Sequence, residues 1–244
     1  MNPLERLRYI ARIEGEDPVN LAIEASYVIA ELAKDKFMLV SALRRLLDRH
    51  PGLGVIWMLS SRIAGSLFPE EEAWNLVAEL SALPRRDNIV EFPSVKIERD
   101  GIVTFQSESL GQPMQVSDTD NGLDLLRVHP TASVVVASDL VSSRFAVIHA
   151  KGLRLIEGHR ALTGQGAVTI CASDSSLVPP SIYDSLRSRL AFAGTEGVPL
   201  RLFDLDGIRE VVYQGDSYLP TAINRLTSWR VPQEILRSAG PLLG

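Results

Sequence analysis

Cysteine occurs once in the 244 residues, as Cys171, so no internal disulfide can form and a thiolate metal cluster is excluded. The four histidines, His50, His129, His149 and His159, are scattered rather than set at ligand spacing, so no metal site is expected. No apolar run reaches the roughly 18 residues that a membrane helix needs. The opening Met1-Asn2-Pro3-Leu4-Glu5-Arg6 lacks a basic stretch followed by an apolar one. A secretory leader is therefore not expected, and the cytoplasm is the expected location. Positive charge is also short: 25 Lys and Arg against 30 Asp and Glu leave a net charge of −5. Binding through phosphate neutralisation calls for a basic field. The pairs Arg44-Arg45 and Arg85-Arg86 read as solvated helix faces and ends, and nucleic acid is not an expected partner.

The familiar cofactor loops are missing too. There is no phosphate-binding P-loop and no Gly-x-Ser-x-Gly elbow. Gly52-Leu53-Gly54 begins like a dinucleotide loop, but it follows a helical stretch and puts Trp57 at the third glycine position. No cofactor is expected. Phe203-Asp204-Leu205-Asp206-Gly207 resembles the first motif of haloacid-dehalogenase-type phosphatases, with Asp204 as nucleophile and Asp206 as acid. Ile208 stands where that family has Thr, and only 37 residues follow. Asp206-Gly207 reads better as a hairpin turn.

What is present is ordinary globular composition, 45% hydrophobic and 23% charged, in a chain long enough to bury a core. Residues 3–84 read as helices. Leu21, Ala25, Val28, Ile29 and Leu32 fall on one helical face, with Asp17-Pro18 as the start. Further helices are expected over about 36–49, 53–67 and 68–84, with Trp57 and Trp74 packed inside. From Asn88 the texture changes to short β-rich runs: Ile89–Phe92, Ile102–Phe105, Leu125–His129, Phe145–Ile148, Ala167–Cys171, Leu200–Leu205 and Ile208–Tyr213. Helices are expected at Pro130–Val141 and Pro180–Phe192. Strands alternating with helices predict an α/β fold with an abbreviated, Rossmann-like, mostly parallel sheet. The expected division is a helical domain over 1–86, the Rossmann-like domain over 87–237 and a flexible tail over 238–244. The polar loop after Ala167–Cys171 is either a helix cap or an anion site built on Ser173, Asp174 and Ser175.

One family resemblance runs through much of the chain. Leu43-Arg44-Arg45-Leu46-Leu47-Asp48-Arg49-His50-Pro51-Gly52-Leu53-Gly54-Val55-Ile56-Trp57 resembles the N-terminal helical region of one superfamily. That superfamily holds the regulatory subunits of translation initiation factor two-B and the methylthioribose-1-phosphate isomerases. Gly101–Ser107 resembles its Ile-Leu-Thr-His-Cys/Ser strand, and His129-Pro130-Thr131-Ala132 its Asp-Ser-Ala helix start. Phe145–Gly152 resembles its Leu-Val-Ile-Val-Gly-Ala-Asp strand.

In the isomerases a Cys and an Asp carry the chemistry on a sugar phosphate. This resemblance puts Gln106 or Ser107 at the Cys position and Lys151 near the Asp position, and neither replacement performs the same proton transfer. It implies a binding or assembly protein without turnover, with a phosphorylated metabolite as ligand class, a protein partner, and a homodimer formed through the α/β part. Gln106, Ser107 and Ser109, with the loop serines, are the ligand candidates. A site is expected where the strands closing at Phe105, Ile148 and Cys171 end. A second reading is a sugar-phosphate isomerase of the aldose–ketose type, with a rebuilt site in which Ser107, His129 and Lys151 converge as catalytic groups. A third is a protein-interaction module using the helical domain.

Overall fold

Asp17 and Asp35 open two helices by the same device. The Asp17 carboxylate accepts the N–H groups of Val19 and Asn20 at 2.8 and 3.1 Å, and Pro18 takes the first helical position. Asp35 accepts those of Phe37 and Met38 at 2.9 and 3.1 Å. Each cap satisfies donors that the helix itself leaves open. The helices are α1 (Pro3–Ile10), α2 (Pro18–Leu32), α3 (Lys36–Arg49), α4 (Gly54–Gly65) and α5 (Pro69–Ala82). In α5, Glu70, Glu71 and Glu72 sit at the positive end of the dipole. The computed structural model describes residues 2–13, 16–83, 89–92, 95–98, 103–106, 114–116, 119–164, 167–173, 175–193 and 200–238.

Contacts divide the chain into two units. The helical unit takes Met1–Arg85 and also Ser181–Gly197 and Ser228–Gly244; the α/β unit takes Arg86–Pro180 and Val198–Thr227. The block expected over 87–237 is thus interrupted twice. One side chain touches all three segments of the helical unit. Arg189, on the helix Tyr183–Ala193 (here α8), is fully buried, and its guanidinium stacks 5.1 Å from the Trp57 ring. Its Nε donates to Asp48 at 2.7 Å, and its Nη atoms donate to the hydroxyl of Ser185 and to the carbonyls of Ile235, Leu236 and Arg237. Burial pulls its pKa down, while Asp48 opposes the shift. In the same unit Leu43, Leu46, Leu47, Ile56, Leu59 and Leu76 are fully buried. The α2 face is buried as expected at Leu21, Ala25, Val28 and Ile29, with Leu32 half-buried. Trp74 is not core: it is 47% exposed and stands edge-on to Tyr27.

The α/β unit contains eleven strands and two α-helices among its described residues. The strands are β1 (Ile89–Phe92), β2 (Val95–Glu98), β3 (Val103–Gln106), β4 (Met114–Val116), β5 (Ser133–Ser138), β6 (Leu140–Val141), β7 (Phe145–His149), β8 (Val168–Ala172), β9 (Leu200–Asp204), β10 (Glu210–Tyr213) and β11 (Asp216–Tyr218). The helices are α6 (Thr119–Val128) and α7 (Ala150–Thr163). The main sheet has the order β11-β10-β8-β5-β3-β4. Its centre, β5-β8-β10, is parallel; β3 and β11 flank it antiparallel, and β4 pairs antiparallel with β3. A second sheet, β6-β7-β9, is antiparallel. This is the expected α/β class, with antiparallel edges on a parallel centre.

Three local expectations are corrected. Residues 125–129 belong to the end of α6 and the turn after it, because Leu123 and Leu126 lie on one helical face against the core; a short apolar run does not separate helix from strand. Residues 133–138 form a strand, because Val134-Val135-Val136 is β-branched and buried on both faces. Asp206-Gly207 is not a hairpin, since β9 and β10 lie in different sheets; the tight hairpin is β10–β11, through Gln214 and Gly215, both at positive φ. Helix α7 carries no clear sequence signal because Gly152 and Gly158 weaken it. Gly158 is there for space: a Cβ on it would run into Leu123 of α6.

Two measurements follow from buried polar groups. Asp48→Ala leaves Arg189 charged and unpaired and costs about 3 kcal/mol in urea denaturation; adding Arg189→Leu recovers part of that loss. His159 on α7 is buried and its pKa is lowered, first by burial, with the backbone of Pro130 and Ala132 opposing. The folded state therefore binds fewer protons than the unfolded one, whose value is 6.5. Stability is intact above that pH and declines as pH falls from it toward the lowered folded value. His159→Phe flattens this part of the pH–stability curve.

Candidate functional site

The parallel strands define the edge where a ligand would sit. Ser138, Ala172 and Tyr213 are in register there, at the C-terminal ends of β5, β8 and β10. Open α/β sheets bind ligands outside this edge. The direction of β3 decides what reaches it. β3 is antiparallel to β5, and Gln106 pairs with Ser133, the first residue of β5. The end of β3 therefore lies at the opposite edge, about 17 Å away along six-residue β5. The expected meeting of strands ending at Phe105 and Cys171 does not occur.

The same geometry sorts the other candidates. His129 precedes β5, and its carbonyl accepts the N–H of Ala132 at 3.1 Å, which places it at the Gln106 edge. Lys151 lies in the first turn of α7. That helix leads into β8, where the Ala167 carbonyl accepts the Val134 N–H at the start of β5. Helix α7 thus runs against β5, and Lys151 stands at the C-terminal edge. His159, near Pro130 and Ala132, is eight residues further along α7, about 12 Å. His129 and Lys151 are separated by that length and do not converge. Ser107, Ser109 and Asp174 lie outside the described residues.

At the C-terminal edge most hydroxyls hold the framework. Ser138 Oγ lies 2.8 Å from the carbonyls of both Leu140 and Val147, so its one proton is shared between them. Ser142 Oγ accepts the N–H groups of Arg144 and Phe145 at 3.1 and 3.0 Å. Ser176 donates to the Ser173 carbonyl at 2.6 Å, and Leu177 then bridges to Val141. The loop after β8 is tied down before any helix starts, so its serines do not cap α8. Ser173 is buried and Ser175 half-buried. His149 caps α7 instead, its Nδ1 accepting the Lys151 N–H at 3.1 Å.

One residue at this edge escaped sequence reading. Asp139, half-buried, follows β5 directly. It puts a carboxylate at the C-terminal end of a parallel strand, the edge where ligands bind in such sheets. The signal is present in the sequence, but the helix expected over 130–141 hides it. Among the described residues, no group of three or more His, Cys, Asp or Glu could hold a metal ion, and no helix is long and apolar enough to cross a membrane.

No protein-family model and no curated protein matches the chain. Among solved structures it is similar to the translation initiation factor eIF-2B of Pyrococcus horikoshii OT3, with a TM-score of 0.52 at 12% identity, over 89% of this chain and 97% of that one. The likeness is one of fold. The resemblance read from the sequence is thus matched in three dimensions: an eIF-2B-like fold with a Rossmann-like α/β part.

Cys171, the lone thiol, faces away from the main core of this unit, beside Val135 and Val212. Burial, and then the charge of Glu210, push its pKa up to about 12. It is no nucleophile at neutral pH. A thiol reagent such as dithionitrobenzoate leaves the native protein unmodified and titrates one thiol per chain once urea unfolds it; rapid native labelling would contradict this placement.

Proposed function

We propose that this eIF-2B-like chain is a binding or assembly protein that holds a phosphorylated metabolite at the C-terminal edge of β5 and β8 without converting it. The carrying observation is the separation of the candidate groups: Gln106 and His129 stand at one edge of the sheet and Lys151 at the other. In this reading Lys151 supplies the positive charge for the phosphate, and the framework serines fix the loop shapes around it. Self-association accompanies binding, as the resemblance implies.

A second reading, isomerisation of a sugar phosphate, is favoured by Asp139. This half-buried carboxylate directly after β5 is a group that could take part in proton transfer at the ligand edge.

Calorimetric titration with a panel of aldose phosphates, run beside a turnover assay, separates the two. Binding without turnover, weakened about tenfold by Lys151→Ala, is the expected result. Isomerisation that disappears in Asp139→Asn establishes the second reading and rejects the first.

A further inference from the structure

We propose that the seat of the C-terminal strap, residues 228–238, is a groove that reads peptide main chain, and that a second copy of this protein fills it with its own strap. Within the helical unit, Arg44 Nε donates to the Glu234 carbonyl at 2.6 Å. Arg189 donates to the carbonyls of Ile235, Leu236 and Arg237 at 2.9, 3.2 and 2.9 Å. Four successive carbonyls of the strap are thus captured by two arginines. Ser238 Oγ adds a bond to Asp48 at 3.0 Å. Only Ile235 is a fully buried apolar anchor here. Recognition is therefore of backbone shape and one side chain, and a strap from another chain satisfies it equally well.

The approach to the seat favours exchange. Residues 227–232 form neither helix nor strand, and the boundary between the two units falls within them, after Thr227. A cavity of about 360 Å³ lies between α4 (Ser61, Arg62, Gly65) and Trp229–Pro232. Trp229, Val231 and Pro232 are half-buried beside this cavity, and the carbonyl anchors of the strap are confined to its second half. Leu219 and Leu226, just before the hinge, are exposed at 67% and 40%. Exchanging a terminal element across an unpaired hinge keeps every seat contact while making a dimer. This assembly route uses the helical unit and is independent of what the α/β unit binds.

A Cβ built on Gly65 would lie 3.5 Å from Pro232 Cγ, so the two positions are neighbours across the seat. In a full-length Cys171→Ser chain, Gly65→Cys combined with Pro232→Cys should first close a disulfide, which verifies the seat. Two differently tagged single variants, one with Gly65→Cys and one with Pro232→Cys, are then mixed under mild oxidation. The expected result is a covalent heterodimer joined through the two introduced thiols, suppressed by an excess of synthetic 228–238 peptide. With Phe37→Cys in place of Gly65→Cys, the exposed thiol should link far more slowly. A double variant that closes within one chain while the single variants stay unlinked overturns the proposal. So does a link that the peptide fails to suppress, or a double variant that forms no disulfide.

Discussion

Arg189 carries a charge that would be prohibitively costly to bury alone, and the helical unit is arranged so that it is never alone. Asp48 neutralises it, Trp57 offers a ring face, and three strap carbonyls and the Ser185 hydroxyl take its remaining donors. Arg189 and those partners come from three separate stretches of sequence. Satisfying one guanidinium therefore draws α8 and the C-terminal segment onto the first five helices. Hydrophobic burial supplies the bulk of the stability, but it does not choose between alternative partners as a directional ion pair does.

In the α/β unit the corresponding constraint is strand direction. β5, β8 and β10 point the same way and create one edge with Asp139, Ser173 and the start of α7 beside it. β3 points the other way and carries Gln106 to the far edge. A single reversal thus removes from the candidate site the strand that the resemblance would place in it. What remains is a carboxylate, a lysine at a helix start, and a loop tied by its own hydroxyls. That inventory suits recognition of a charged small molecule better than concerted proton transfer.

The sequence was legible where local physics dominates. Asp17-Pro18, Pro51-Gly52 and Pro69 with its three glutamates mark helix ends by caps, backbone restriction and charge, and all three marks agree with the structure. Legibility failed where the burden was tertiary. The segment 133–138 carries a β-branched run, but what makes it a central strand is its place between β3 and β8. Helix α7 tolerates two glycines because α6 passes over one of them. Arg189 looked like any other helix-surface arginine, since nothing in its neighbours announces that Asp48 lies opposite. The same limits explain the site: Asp139 was visible as a residue but not as a strand end, and strand direction cannot be read from composition.

The central claim is that β3 runs antiparallel to β5, and it can be tested by covalent trapping. In a Cys171→Ser chain, Gln106→Cys is paired either with Ser133→Cys or with Ala137→Cys, two positions on the same face of β5 but toward opposite ends. A disulfide is expected in the 106–133 pair and none in the 106–137 pair. The reverse result would place the end of β3 at the ligand edge, restore the expected meeting of strand ends, and contradict the binding-without-turnover reading at its base.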